Sequence, residues 1–125
     1  RVAVDLNSEW EKLDNGSAMV TGVVLVRSEF AEKYPQQLAK FMEEYEASVN
    51  YVLENTEDAA NLIGGYEIVK APIAQKALPY CNITFITGGE MKNAMEGYLG
   101  VLYDMNPASI GGAMPGADFY YGAEK

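Results

Sequence analysis

The sequence predicts an α/β fold that is rich in helix and has an incomplete sheet. Residues 18–26 form a near-continuous apolar run with many β-branched residues, which is typical of a strand buried on both faces of a helix-covered sheet. Two longer segments repeat apolar residues at steps of three and four, which predicts amphipathic helices. A buried strand needs neighbours on both sides, and the chain offers few other strand candidates, so we expect an incomplete sheet.

The remaining elements follow from local signals along the chain. Short apolar stretches at residues 2–6 and 83–86 predict two brief strands. Ser28 is placed to cap a short helix, and Pro35 to start one of about five turns. The apolar stripe of that longer helix contains Leu38, Phe41, Met42, Tyr45, Val49, Val52 and Leu53. Three further helices are predicted at residues 57–63, at about 72–80, and from the capping-box sequence 87–90 to about 106.

Composition excludes several classes of function. The formal net charge of −9 repels phosphate backbones, so we predict no nucleic-acid partner. The chain contains no histidine, which removes the commonest general base and the commonest metal ligand. The single cysteine, Cys81, is interpreted as a packed thiol. We therefore predict no catalytic residue, no metal site and no cofactor.

Four residues are candidates for contacting a ligand. Residues 17–22 combine small and hydroxyl side chains with a glycine at the start of the predicted buried strand. Ligands of open α/β sheets bind outside strand ends, where hydroxyl and backbone N–H groups converge. This favours Ser17, Met19 and Thr21, and Trp10 lies close by in sequence beside an Asn-Gly turn. Ordinary packing of Trp10 and an ordinary strand entry at residues 17–22 are the alternatives.

An ordered set of short motifs runs through nearly the whole chain. The motifs are Asp5-Leu-x-x-Glu9-Trp10, Val26-Arg27-x-x-Phe30, Tyr34-Pro35, Asn55-Thr-Glu-Asp-Ala59-Ala60 and Asn106-Pro-x-Ser109-Ile-Gly-Gly112…Pro115…Phe119-Tyr-Tyr. Together they resemble the carboxy-terminal half of bacterial ABC-transporter solute-binding proteins of the nitrate/sulfonate/taurine type. Each motif is weak alone, and the last one is the most specific.

The resemblance implies the carboxy-terminal portion of a type II periplasmic-binding-protein fold, in which two lobes close on a solute. Residues 1–125 would be a single fragment of such a protein. Its parts would be a strand-rich, hinge-proximal part at about residues 1–26 and a mainly helical part at residues 27–125. The chain starts abruptly at Arg1, at a predicted strand. We therefore expect the missing strands to lie either upstream of Arg1 or in a second copy of the chain. Any export signal would also lie upstream.

The function that this resemblance implies is a non-enzymatic receptor of an ABC importer. Its partners would be a small organic or oxyanion solute and the cognate ABC permease, and the fragment is expected to self-associate as a homo-oligomer. Its location would be extracytoplasmic, in the periplasm or lipid-anchored at the outer face of the cell membrane. The alternatives are a ligand-sensing or regulatory domain on the same fold, and an enzyme that uses only Asp, Glu, Tyr or Lys.

Overall fold

The computed structural model describes residues 3–123, and within that range it consists of helices joined by irregular segments. The α-helices are α1 (Leu6–Glu11), α2 (Ser28–Lys33), α3 (Pro35–Glu54), α4 (Thr56–Gly65), α5 (Ala71–Ala77) and α6 (Gly88–Met105). Three short 3-10 helices are found at Leu78–Tyr80, Pro107–Ile110 and Ala117–Phe119. No helix in the described range is long and apolar enough to cross a membrane.

The prediction of a sheet is wrong for the part of the chain that the structure describes, since residues 3–123 contain no strand. A periplasmic-binding-protein fold requires a sheet, so that fold class is corrected as well. Residues 18–26 form no regular secondary structure, and residues 21–26 are exposed, with Leu25 77% accessible. The composition of this run favours a strand, but a strand exists only where a neighbour accepts and donates backbone hydrogen bonds.

The two shorter strand predictions fail for local reasons. Within residues 2–6, Val2 lies outside the described residues, and Asp5 caps helix α1 instead of extending a strand. The Asp5 carboxylate accepts hydrogen bonds from the backbone N–H groups of Asn7 at 3.0 Å and Ser8 at 3.2 Å, which stabilises the first turn of a helix. Residues 83–86 are irregular. Phe85 in that segment packs its ring against Tyr45 of α3, with 5.8 Å between ring centroids.

The predictions of the long helices are confirmed. Helix α3 begins at Pro35 and runs for 20 residues, and α6 ends at Met105, directly before Asn106. The predicted caps are wrong in detail. Ser28 is the first residue of α2, after Arg27 at the cap position, and the Thr87 side chain makes no capping hydrogen bond. Apolar periodicity therefore identified the helices better than the capping residues identified their ends.

Contacts divide the chain into two units, Leu25–Phe85 and the pair of segments Arg1–Val24 and Ile86–Lys125. In the unit Leu25–Phe85, helices α3, α4 and α5 carry a small core. Leu38 and Val49 are buried on α3, eleven residues and therefore about three turns apart, on one face. The buried residues of α4 and α5 are all alanines, namely Ala59, Ala60 and Ala74.

Small residues let α4 and α5 approach each other closely. A Cβ atom added to Gly64 would lie 2.9 Å from the Ala71 Cβ and 3.1 Å from the Ala71 backbone nitrogen. Real Cβ atoms do not approach another atom this closely, so only glycine fits at position 64 without a shift of α5. Helix α4 was predicted to end at residue 63, but it continues through Gly64 and Gly65, and Gly64 forms part of its contact surface.

In the other unit, the carboxy-terminal tail is anchored by Tyr120. Its side chain is buried, with 3% of its surface accessible, and its ring packs edge-on against that of Phe119 at a centroid distance of 5.2 Å. Gly88, the first residue of α6, lies near the backbone carbonyl of Gly122. These contacts hold the tail against the helix that forms the centre of the candidate site.

Candidate functional site

The candidate site is a cluster of five residues from α1, the turn that follows it and α6. We name it the Trp10 cluster, and its members are Trp10, Asn15, Ser17, Gly97 and Tyr98. All five belong to the unit Arg1–Val24 with Ile86–Lys125. Trp10, Ser17, Gly97 and Tyr98 are half-buried, and Asn15 is exposed.

A chain of hydrogen bonds joins α1 to the turn. The indole N–H of Trp10 donates to the Ser17 hydroxyl oxygen at 2.9 Å. The Ser17 hydroxyl donates in turn to the Asn15 side-chain oxygen at 2.6 Å, and the Ser17 backbone N–H donates to the same oxygen at 3.0 Å. Asn15 thereby closes a tight turn that fixes where the serine hydroxyl points.

This arrangement limits the chemistry of Ser17. A hydroxyl group has one proton to donate and two lone pairs with which to accept. The proton is held by the Asn15 amide, which is not a base, and one lone pair is taken by Trp10. One lone pair remains for a ligand. Ser17 is therefore arranged to accept a hydrogen bond and to orient a group, since a nucleophilic serine needs an adjacent base to take its proton.

An aromatic pair lies next to this hydrogen-bond chain. The rings of Trp10 and Tyr98 are 5.1 Å apart between centroids and are inclined by 41°, within the range of favourable aromatic contacts. Because both side chains are only half-buried, part of their apolar surface stays accessible. Partly exposed aromatic rings beside an oriented hydroxyl can hold a flat, conjugated molecule.

The turn reaches α6 at a glycine. A Cβ atom added to Gly97 would lie 2.6 Å from the Ser17 Cβ and 3.2 Å from the Ser17 Cα. Glycine in the middle of a helix is unfavourable by about 1 kcal/mol relative to alanine, so its presence indicates a packing requirement. Gly97 allows Ser17 to lie directly on the helix surface.

The structure brings two of the four predicted ligand residues together. Trp10 and Ser17 are hydrogen-bonded to each other. Met19 is half-buried and Thr21 is exposed, and no hydrogen bond in residues 3–123 joins either of them to the pair. A role in ligand binding stays a prediction for all four residues. The sequence analysis singled out neither Gly97 nor Tyr98, although a glycine inside a strong helical pattern was the signal to follow.

Replacing the central hydroxyl group should destabilise the cluster. In Ser17→Ala, the Trp10 indole N–H loses its acceptor while it stays half-buried, so we expect the free energy of unfolding to fall by about 1 kcal/mol. Thermal unfolding followed by circular dichroism measures this change. Ser48→Ala is the control, because the Ser48 hydroxyl bonds only to a carbonyl of its own helix. Equal midpoints for Ser17→Ala and the unmodified protein would contradict the expected role.

Tyr120 belongs to the same unit as the cluster and makes the stability of that unit depend on alkaline pH. Its buried hydroxyl has no hydrogen-bond partner within residues 3–123. Burial, and secondarily the charge of Glu96, raise the pKa of Tyr120 above the ordinary 10.0. As the pH rises, the Tyr120 hydroxyl therefore loses its proton in the unfolded chain before it does so in the folded chain. The contribution of Tyr120 to the free energy of unfolding is complete below pH 10 and is lost as the pH rises through the raised pKa.

Tyr120→Phe should remove that dependence. At neutral pH the variant should be as stable as the unmodified protein or slightly more stable, because a buried hydroxyl without a partner contributes no net hydrogen bond. Above about pH 10, only the unmodified protein should lose the contribution of the Tyr120 hydroxyl to the free energy of unfolding. Chemical denaturation at a series of pH values measures the difference, with Tyr121→Phe at the neighbouring exposed ring as control. Parallel pH curves for Tyr120→Phe and the unmodified protein would refute this prediction.

Residues 3–123 contain no group of three or more Asp, Glu or Cys side chains placed to hold a metal ion. The Trp10 cluster itself offers aromatic contact and hydrogen bonding.

Comparison with known proteins identifies the family. A family model described as menaquinone biosynthesis matches residues 1–104, which include the whole Trp10 cluster. No curated protein and no solved structure matches the chain.

This match corrects the transport hypothesis. The family is one of biosynthesis and not of ABC-transporter solute-binding proteins, so the solute-receptor function, the sensor alternative and the partnership with an ABC permease were wrong. A biosynthetic role also conflicts with our prediction that the chain is not an enzyme. The extracytoplasmic location and the boundary near residue 26 stay predictions. Since the match covers well over half of the length of the chain, the chain belongs to the menaquinone biosynthesis family.

Proposed function

We propose that this chain forms part of an enzyme that makes a precursor of menaquinone, and that the Trp10 cluster binds the ring of its substrate. Family membership supports the biosynthetic role. The observation that carries the binding site is the aromatic pair Trp10–Tyr98 beside a hydroxyl group that is already oriented by two hydrogen bonds.

The chemistry of the end product fits such a site. Menaquinone is a naphthoquinone, so the later precursors of its ring are flat, conjugated molecules with oxygen substituents. Aromatic faces bind such a ring by offset or edge-on contact, and the free lone pair of Ser17 accepts a hydrogen bond from a substrate hydroxyl. Met19 and Thr21 join the proposed site because they follow Ser17 by two and four residues in the irregular segment after the turn.

In this proposal the cluster binds and orients the substrate, and the bond-making step belongs to other groups. The Ser17 proton is held by an amide that cannot accept it as a base, so Ser17 is a positioning residue. Holding a substrate in a reactive geometry is itself a large part of enzyme catalysis. The expected effect of a substitution in the cluster is therefore weaker substrate binding together with a slower reaction.

Calorimetric titration with 1-naphthol, a flat two-ring aromatic molecule whose hydroxyl group can donate to Ser17, tests the binding site. Tyr98→Leu removes the aromatic partner of Trp10 and should weaken binding at least about tenfold, a loss of about 1.4 kcal/mol. Tyr103→Leu is the matched control, because Tyr103 is also a half-buried tyrosine of α6 and lies outside the cluster. Equal affinities of the two variants, or no binding to the unmodified protein, would contradict the proposal.

A further inference from the structure

A second feature, in the unit Leu25–Phe85, is an open groove between α3 and α4. A single residue, Asn55, separates the two helices, which brings the last turns of α3 beside α4. The groove has a volume of about 410 Å³, and its lining includes Ser48 and Tyr51 of α3 and Leu62 of α4, with Tyr66 and Ile68 beyond them. Its surface is mainly apolar.

The apolar lining of this groove is unusually accessible. Tyr66 is 78% exposed, Ile68 75% and Leu62 51%. Single exposed apolar residues are common on protein surfaces, but a contiguous group marks a place where another molecule binds. Tyrosine is moreover among the residues most enriched where proteins contact each other.

The segment that forms the groove is acidic. Residues 43–67 contain seven carboxylates and neither Lys nor Arg, although Glu44 is paired with Lys40 of its own helix at 3.1 Å. One of the seven, Asp58, accepts a hydrogen bond from the hydroxyl group of the lining residue Tyr51. Another, Glu67, lies between Tyr66 and Ile68 in the sequence. An occupant that buries apolar groups here would therefore also meet the negative charges of Asp58 and Glu67, which form a rim that attracts positive charge.

We infer that this groove binds an amphipathic helix of a partner protein, with apolar side chains on one face and Lys or Arg on the other. The groove between two helices suits a helix laid into it. The apolar face would cover Leu62, Tyr66 and Ile68, and the basic side chains would reach the carboxylates of Asp58 and Glu67. A membrane surface with anionic lipids fits poorly, because the rim would repel it.

The probe is a fluorescently labelled synthetic helix of about four turns, built only from Leu and Lys in an amphipathic pattern. Fluorescence anisotropy measures its binding to the intact chain. Leu62→Ser removes an exposed apolar side chain from the groove without any change in charge. Leu53→Ser is the matched control, because Leu53 is 55% exposed on the neighbouring helix and does not line the groove. Circular dichroism of both variants verifies that the helices are intact.

The inference expects Leu62→Ser to weaken binding of the Leu/Lys helix at least about tenfold, while Leu53→Ser binds like the unmodified protein. A peptide with every Lys replaced by Glu should not bind. Equal binding of the two variants would overturn the inference, since attraction by the net charge alone would then explain the association. Binding of the Glu peptide with similar affinity, or binding of the probe only to vesicles of anionic lipid, would overturn it as well.

Discussion

Gly97→Ala should unfold at a clearly lower temperature than the unmodified protein. The added Cβ would lie 2.6 Å from the Ser17 Cβ, so α6 and the turn must move apart. Overpacking of this kind costs about 1–3 kcal/mol, and a Cβ–Cβ distance of 2.6 Å places the cost in the upper half of that range. Alanine brings a gain of about 1 kcal/mol to a helix interior, so we expect the free energy of unfolding to fall by about 1–2 kcal/mol, measured by chemical denaturation.

Helix α6 contains its own control for this substitution. Gly100 lies three residues further along the same helix, and a Cβ atom there would meet nothing within 4 Å. Gly100→Ala should therefore raise the free energy of unfolding by up to about 1 kcal/mol through helix propensity alone. Ser17→Gly in the Gly97→Ala background should relieve part of the clash. A stabilising effect of Gly97→Ala equal to that of Gly100→Ala would show that Ser17 does not lie on the helix.

Gly64→Ala should have a comparable effect in the unit Leu25–Phe85. Its Cβ would approach three atoms of Ala71, of which the nitrogen at 3.1 Å and the Cα at 3.3 Å belong to the backbone. Since a backbone cannot rotate away as a side chain can, α4 and α5 must separate, and the contacts of the buried Ala59, Ala60 and Ala74 loosen with them. We expect a loss of about 2 kcal/mol in the free energy of unfolding, measured by chemical denaturation.

The adjacent glycine is the control for this prediction. A Cβ atom at Gly65 would meet nothing within 4 Å, so Gly65→Ala should change stability little. Replacing Ala71 by glycine in the Gly64→Ala background removes only the Cβ contact at 2.9 Å and leaves the two backbone contacts. Rescue should therefore be partial. Full rescue by Ala71→Gly, or equal effects at positions 64 and 65, would contradict the close approach of the two backbones.

The sequence predicted the helices well because a helix is a local structure. Its hydrogen bonds join residues four apart, so the apolar stripe from Leu38 to Leu53 contained nearly all the information needed for α3. The strand at residues 18–26 could not be judged in this way. Its composition resembles that of a strand, but sheet formation depends on neighbours distant in sequence. The local pattern therefore predicted a sheet that residues 3–123 do not form.

The candidate site was only partly visible from sequence for the same reason. Trp10 and Ser17 are seven residues apart, and the turn signal between them placed them close together. Tyr98 contacts Trp10 and Gly97 contacts Ser17, but both belong to a helix about eighty residues further along the chain. No local sequence pattern predicts such a contact. The family was missed on similar grounds, since short motifs such as Glu9-Trp10 define no more than a resemblance.

Trp10 is the sole tryptophan of the chain, and it lies in the unit Arg1–Val24 with Ile86–Lys125. Its fluorescence therefore reports on that unit alone. The far-ultraviolet circular dichroism of the helices instead reports on both units, because each unit contains helices. Coincident transitions of the two signals during denaturation would indicate one cooperative event, and separate transitions would indicate two. The indole beside Ser17 thus serves as a built-in optical probe of how the two units depend on each other for stability.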